Sequence, residues 1–391
     1  MQGGERSEQD SRGFYYFAEQ RQTVIDLMQI NTILRQLEQW APRSLQEDYD
    51  NAGLIVGNPA AEASGVVVSL DSTEDVVDEA IRKGANLVVA HHPILFGKKR
   101  SLTGRDYVER TLLKAIKHDI ALYAIHTNLD NIRTGVNARI CEVLGIQSPR
   151  ILSPKSGLLN KLVVYVPQVQ ADAVRDALFV AGAGAVGDYT ECSFGSQGAG
   201  TFKGGEGTDP HVGQVGKRHT EPETRLEVLV ENWNVGPVLE AMQQVHPYEE
   251  VAYDLLALKN VHHHIGAGMV GELEQPMKLD AFLTHVKQVL GTGSVRHTSA
   301  VSEQVQRIAV CGGSGSFLLE DAVRAGADVF VTADYKYHQF FDADGRIVIA
   351  DVGHFESERY TVDLLGEFLR EKFPNFAVHL SDIQTNPIKY F

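Results

Sequence analysis

Three short islands carry side chains of the kind that bind metals: Ala90-His91-His92-Pro93, Ile125-His126-Thr127-Asn128-Leu129-Asp130 and Gly353-His354-Phe355-Glu356-Ser357-Glu358. Each follows an apolar run that reads as a buried strand, and open α/β proteins place their chemistry at strand ends. Neutral imidazole is a common ligand for zinc, iron and related divalent metals. Neighbouring residues on a strand point to opposite faces, so His91 and His92 cannot readily hold one ion while the chain stays extended. At a strand end, with Pro93 favouring an extended turn, each can serve a different ion of a close pair. His354 and Glu358 are four residues apart, which places both on one face of a helix that begins after Gly353. Asp130 adds a carboxylate, with the alternative that it caps the segment after it. Singly these signals are weak: a packed histidine beside a surface one explains the pair, and HxxxE arises by chance in many helices. As a set, His91, His92, Asp130, His354 and Glu358 suit two divalent ions ~3.5–4 Å apart.

Other polar clusters have plainer readings. Gly312-Gly313-Ser314-Gly315-Ser316 follows a strand and precedes a helix, but lacks the Lys-Ser/Thr of a P-loop and does not match GxGxxG. It is expected to be a tight βα turn lining a cleft. Asp71-Ser72-Thr73 is expected to cap a helix at the same cleft, and Asp334, Tyr335, Lys336 and His338 either line it or lie on the surface. His262-His263-His264 reads as a polar linker, and His246 belongs to a separate segment.

The elements around these islands alternate between strand and helix. Strands are expected at 66–70, 87–90 and 120–125, with helices at 30–40, 74–83 and 107–118. The end of the chain repeats the pattern, with strands at 308–311, 329–332 and 347–350 and a helix at 318–325. Residues 79–89 and 321–331 even resemble each other, each reading as helix, glycine cap and strand. Alternation of this kind indicates mainly parallel sheets covered by helices. The fold class is therefore α/β, with two similar lobes, 28–155 and 263–391, that form a cleft. Between them, residues 156–262 run β-α-β-β-α-β, the order of a ferredoxin-like α+β insert, with a glycine-rich polar stretch at 195–216 expected as a long mobile hairpin.

Composition sets the boundaries. The 391 residues suffice for two or three domains, and 43% hydrophobic with 22% charged residues is ordinary for a globular protein. A formal net charge of −15 argues against a nucleic-acid surface. Cys141, Cys192 and Cys311 are few, scattered and odd in number, as expected of reduced thiols in the cytoplasm. No stretch approaches the ~20 apolar residues of a membrane span. Residues 1–27 are poorly patterned; they are expected to be a disordered or non-native leader, with Met28 the natural start.

These residues resemble the Nif-three-like family of dinuclear-metal proteins, whose members carry the name GTP cyclohydrolase 1 type 2 homologue. The resemblance spans about 28–391 and rests on Asp50-Asn51-Ala52-Gly53-Leu54, the three islands, and Gly271-Glu272-Leu273. His246-Pro247-Tyr248-Glu249-Glu250 and its surroundings resemble the PII- or CutA-like module of the long bacterial members. The resemblance implies that His92 and Asp130 bind one ion, His91 and His354 the other, and that Glu358 bridges them. It also implies a homohexamer whose inserts cap a central cavity. Two divalent ions (zinc, iron or manganese) could activate water for a hydrolase acting on a nucleotide-like substrate, with His126 or Asp334 as the general acid. The alternative is a non-catalytic metal-binding protein with a regulatory or assembly role, its insert acting as a sensor.

Overall fold

The computed structural model describes residues 28–97 and 99–391; the leader expected at 1–27 lies outside them. In the first lobe, a five-stranded sheet has the spatial order Gly53–Val56, Ala121–Ala124, Leu87–Ala90, Val66–Ser69, Val378–Leu380. All neighbours are parallel except Gly53–Val56, which runs antiparallel to Ala121–Ala124. The three central strands are buried at every residue, because both faces of the sheet are covered. Val67, Val88 and Leu122 point to one face and meet Val76, Val77, Ala80, Leu112 and Ala115 of helices Glu74–Lys83 and Tyr107–Lys117. Val66, Val68, Leu87, Val89 and Tyr123 point the other way, into a core shared with helix Ile30–Trp40 and with the second lobe.

The second lobe has six strands in the order Arg296–His297, Val348–Asp351, Val329–Ala333, Gln304–Ser314, Val261–Lys278, Ile146–Ser156. Gln304–Ser314, Val329–Ala333 and Val348–Asp351 are parallel, and the flanking strands are antiparallel. The repeat seen in the sequence is structural. Helix Glu74–Lys83 turns through Gly84 into Leu87–Ala90, and helix Leu319–Arg324 turns through Gly326 into Val329–Ala333, both glycines having φ near +70°. His91-His92 and Asp334 therefore leave equivalent strand ends of the two lobes.

Two strands cross the contiguous division expected at 28–155 and 263–391. Ile146–Ser156 pairs in the second sheet, and Val378–Leu380 returns to the first. The former is an edge strand carrying Pro149 and Pro154, which masks it as loop. The latter is too short to show a period.

The insert is ferredoxin-like. Its strands lie in the order Ser193–Lys203, Arg218–Glu231, Leu159–Pro167, Tyr253–Ala257, all antiparallel, with helices Ala171–Val180 and Val235–Val245 on one face. Of the glycine-rich stretch at 195–216, expected as a long mobile hairpin, residues 195–203 are regular strand and 204–216 form the loop that joins it to the next strand. Ser193–Lys203 pairs in continuous register with Arg218–Val228, and its residues are mostly exposed on both faces, so no apolar alternation marked it. His262-His263-His264, expected as a linker, lies in strand Val261–Lys278; His262 meets Glu231 at 2.9 Å and His264 contacts Arg133.

Candidate metal centre

The three islands converge at the cleft between the lobes. His91 and His92 leave the end of Leu87–Ala90, and His126 to Asp130 leave the neighbouring Ala121–Ala124 through a single helical turn, Thr127–Asp130. His354 and Glu358 open and close the turn His354–Glu358, which enters from the second lobe after Val348–Asp351. Asp130 does not cap the next helix, Val136–Val143, whose N-cap is Gly135.

Each imidazole is fixed through Nδ1. His91 Nδ1 lies 2.9 Å from the Ile125 carbonyl, His92 Nδ1 2.8 Å from Asp71 Oδ1, His126 Nδ1 2.8 Å from Asp50 Oδ1 and His354 Nδ1 2.6 Å from Asp334 Oδ2. An acceptor on Nδ1 leaves Nε2 with its lone pair free for a metal, an arrangement typical of histidine ligands. His92 Nε2 lies 2.9 Å from Glu358 Oε2 and 3.3 Å from His354 Nε2, which is itself 3.1 Å from Glu358 Oε2. His91 Nε2 lies 3.6 Å from Asp130 Oδ1 and 3.8 Å from Glu358 Oε1. Both His91 Nε2 and Asp130 Oδ1 are buried without a hydrogen-bond partner. Buried polar atoms without partners are rare and call for an occupant.

The donor set therefore fits divalent metal. Ligand atoms of His91, His92 and His126 come within 4.8 Å of one another, as do those of His92, His354 and Glu358. The two oxygens of Glu358 face different groups, which suits a bridging carboxylate. Without a metal, His92 Nε2 lies nearest Glu358 and His354, and His91 Nε2 nearest Asp130 and Glu358.

Electrostatics match this geometry. Burial drives the His91 imidazole down to about 4, as suits a neutral ligand. Burial also works against charge on His92 and His354, yet Asp71 and Glu358 hold His92 up at about 9, and Glu358 and Asp334 hold His354 up at about 11. Glu358 is buried, but those cations keep its carboxyl well below the usual range. Burial and the Glu358 charge push the Asp130 carboxyl well above it.

The structure places the remaining candidates as follows. Asp334, a candidate acid, is bonded to His354 Nδ1, and that bond holds its carboxyl below the usual range. Its φ of 60° is unusual for a residue with a side chain. His126 stands among the possible ligands. Tyr335 is buried, Lys336 and His338 are exposed, and none of the three lines the cleft. Asp71 holds His92, while Thr73 alone caps the helix by accepting from Val76 N. Asp50 was visible only within a motif; it binds His126 Nδ1 and Thr127 N. The glycine turn cradles a side chain, not a phosphate. A Cβ on Gly313 would stand 2.4 Å from Glu358 Oε1, and Gly313 N donates to Ser357 Oγ at 2.9 Å.

The centre forms part of a cleft of about 820 Å³ whose walls include Tyr49, Phe96, Tyr107, Phe317 and Ile388. Residues 28–387 match the model of the family described as Duf34/NIF3 (NGG1p interacting factor 3). The chain belongs to the Duf34/NIF3 family. It is 39% identical over 365 residues to the GTP cyclohydrolase 1 type 2 homolog of Halalkalibacterium halodurans, covering 92% of this chain and 98% of that relative. The protein of the same name from Bacillus subtilis is 37% identical, with 92% and 97% covered. Among solved structures, the Bacillus cereus protein related to NIF3 superposes with a TM-score of 0.82 at 36% identity, covering 93% of this chain and all of that one. Among the described residues, no helix is long and apolar enough to cross a membrane.

Proposed function

We propose that this protein is a cytoplasmic hydrolase that depends on two divalent ions and acts on a nucleotide-like substrate. The observation that carries the reading is the convergence of His91, His92, His126, Asp130, His354 and Glu358, with two buried ligand atoms lacking partners. Zinc, iron or manganese bound there would supply Lewis acidity and lower the pKa of water toward neutrality. Glu358 presents one oxygen to each group of ligands, and Asp50, Asp71 and Asp334 hold three of the rings. Of the two acid candidates we assign the proton transfer to His126 and leave the metals to His91, His92, Asp130, His354 and Glu358, since Asp334 is bonded to His354.

Exposed aromatic side chains around the cleft, with Tyr49 70% and Phe317 67% exposed, offer faces on which a base can stack. The name shared by the relatives also favours a nucleotide substrate. The homohexamer implied by the resemblance belongs to the same reading, and light scattering on the eluted protein measures it. The deciding experiment reconstitutes the purified chain with zinc, manganese or iron and assays it against GTP, other nucleotides and phosphoesters. Two metal equivalents per chain and turnover lost in Glu358→Gln are expected. Turnover that survives this change would defeat the mechanism, and metal binding without turnover would favour a regulatory or assembly role.

A further inference from the structure

The last residues of the chain run without regular structure after strand Val378–Leu380, yet they are tied down across both lobes. Ser381 Oγ donates to Glu79 Oε2 at 2.5 Å and Asp382 N to Glu79 Oε1 at 2.9 Å, on helix Glu74–Lys83. Thr385 Oγ1 then donates to Asp71 Oδ2 at 2.5 Å. Asn386 Nδ2 donates to Glu356 Oε1 at 3.0 Å, within the turn that carries His354 and Glu358. Asn386 and Glu356 are both buried.

We propose that Thr385 is a positioning residue of the metal centre, acting through Asp71 on His92, within a C-terminal strap that joins the two ligand-bearing segments. Asp71 divides its oxygens: Oδ2 accepts from Thr385, and Oδ1 faces His92 Nδ1. A carboxylate anchored on one oxygen has less freedom to rotate, so the other holds the imidazole in one orientation. Such outer partners of a ligand typically contribute 10–100-fold to metal affinity. The strap spans 314 positions between Asp71 and Thr385, and one residue later it grips the turn from the other lobe. Both halves of the ligand set are thus fastened to one short segment that supplies no ligand itself.

The inference rests on the metal-centre reading above, and its test separates the two. Full-length protein and the variants Thr385→Val and Thr385→Ser are stripped of metal and titrated with cobalt(II), reading the visible ligand-field bands and the affinity in competition with a chelator. Thr385→Val should weaken cobalt binding by about tenfold or more and alter the bands, while Thr385→Ser, which keeps the hydroxyl, should match the parent. In an Asp71→Asn background, the further change to Val should add nothing. Thr385→Ala supplies the same readout if the Val variant fails to fold. Unchanged binding in Thr385→Val, or an equal loss in the Val and Ser variants, overturns the role of the hydroxyl while leaving the centre standing. A parent that takes up no cobalt overturns both.

Discussion

Four histidines in this cleft differ mainly in what stands behind them: a backbone carbonyl for His91 and carboxylates for His92, His126 and His354. For His92 and His354 the neighbouring carboxylates favour the cationic ring, whereas burial keeps His91 neutral. Gly313 is as particular as the ligands. Its φ is 60°, and its missing side chain leaves the space that Glu358 fills. Gly313→Ala should destabilise the fold by about 1–3 kcal/mol through overpacking and should displace the Glu358 carboxylate. Denaturant unfolding and metal content per chain check both effects; full metal occupancy in that variant would show that the turn can yield. The convergence of His91, His92, Asp130, His354 and Glu358 was legible because histidine and carboxylate at strand ends are chemically conspicuous. The residues behind them were not, because Asp50, Asp71 and Asp334 look like any loop aspartate until the fold supplies their partners. Thr385 carried no signal at all.

At the scale of elements, the helix–strand alternation and the internal repeat gave away both lobes, since buried parallel strands read as unbroken apolar runs. The edges were hidden. Ile146–Ser156 carries prolines, Ser193–Lys203 is glycine-rich and exposed, and Val378–Leu380 has only three residues. Yet the first of these explains how the insert is attached. Ser156 pairs with Val261 and Lys155 with His262, so the insert leaves and returns at adjacent positions of one antiparallel pair. Replacing residues 157–260 by Asn-Gly, the sequence favoured in a two-residue hairpin, should therefore close the pair and leave the lobes folded. Circular dichroism and elemental analysis of the shortened chain should show a cooperative fold with the metal content of the parent. Loss of metal from a shortened chain that still folds would mean that the insert contributes to the centre.

For the whole molecule, the cluster at the cleft couples the contact between two lobes to proton binding, and to metal binding under the proposed function. Ligands from the first lobe meet His354 and Glu358 from the second, and without metal the contact is an ion cluster: His92 and His354 cationic, Glu358 anionic. His92 and His354 are raised above the ~6.5 of an unfolded chain, so their stabilisation is complete below about pH 6.5. It is lost as pH climbs through about 9 for His92 and about 11 for His354. His91, lowered to about 4, acts on the other side, because below ~6.5 the unfolded chain takes up a proton that the folded one refuses. Glu358, held below its ordinary value, likewise loses its contribution as the medium becomes acidic. With metal, the protons on His92 and His354 must leave for the ligand atoms to bind, so metal affinity rises over the range in which the metal-free contact weakens. The difference in unfolding temperature between zinc-loaded and chelator-treated protein should therefore widen from about pH 6.5 to 9. Calorimetric scans of both forms across that range measure it. A gap that stays constant, or narrows, would mean that the protons on His92 and His354 are not what the metal displaces.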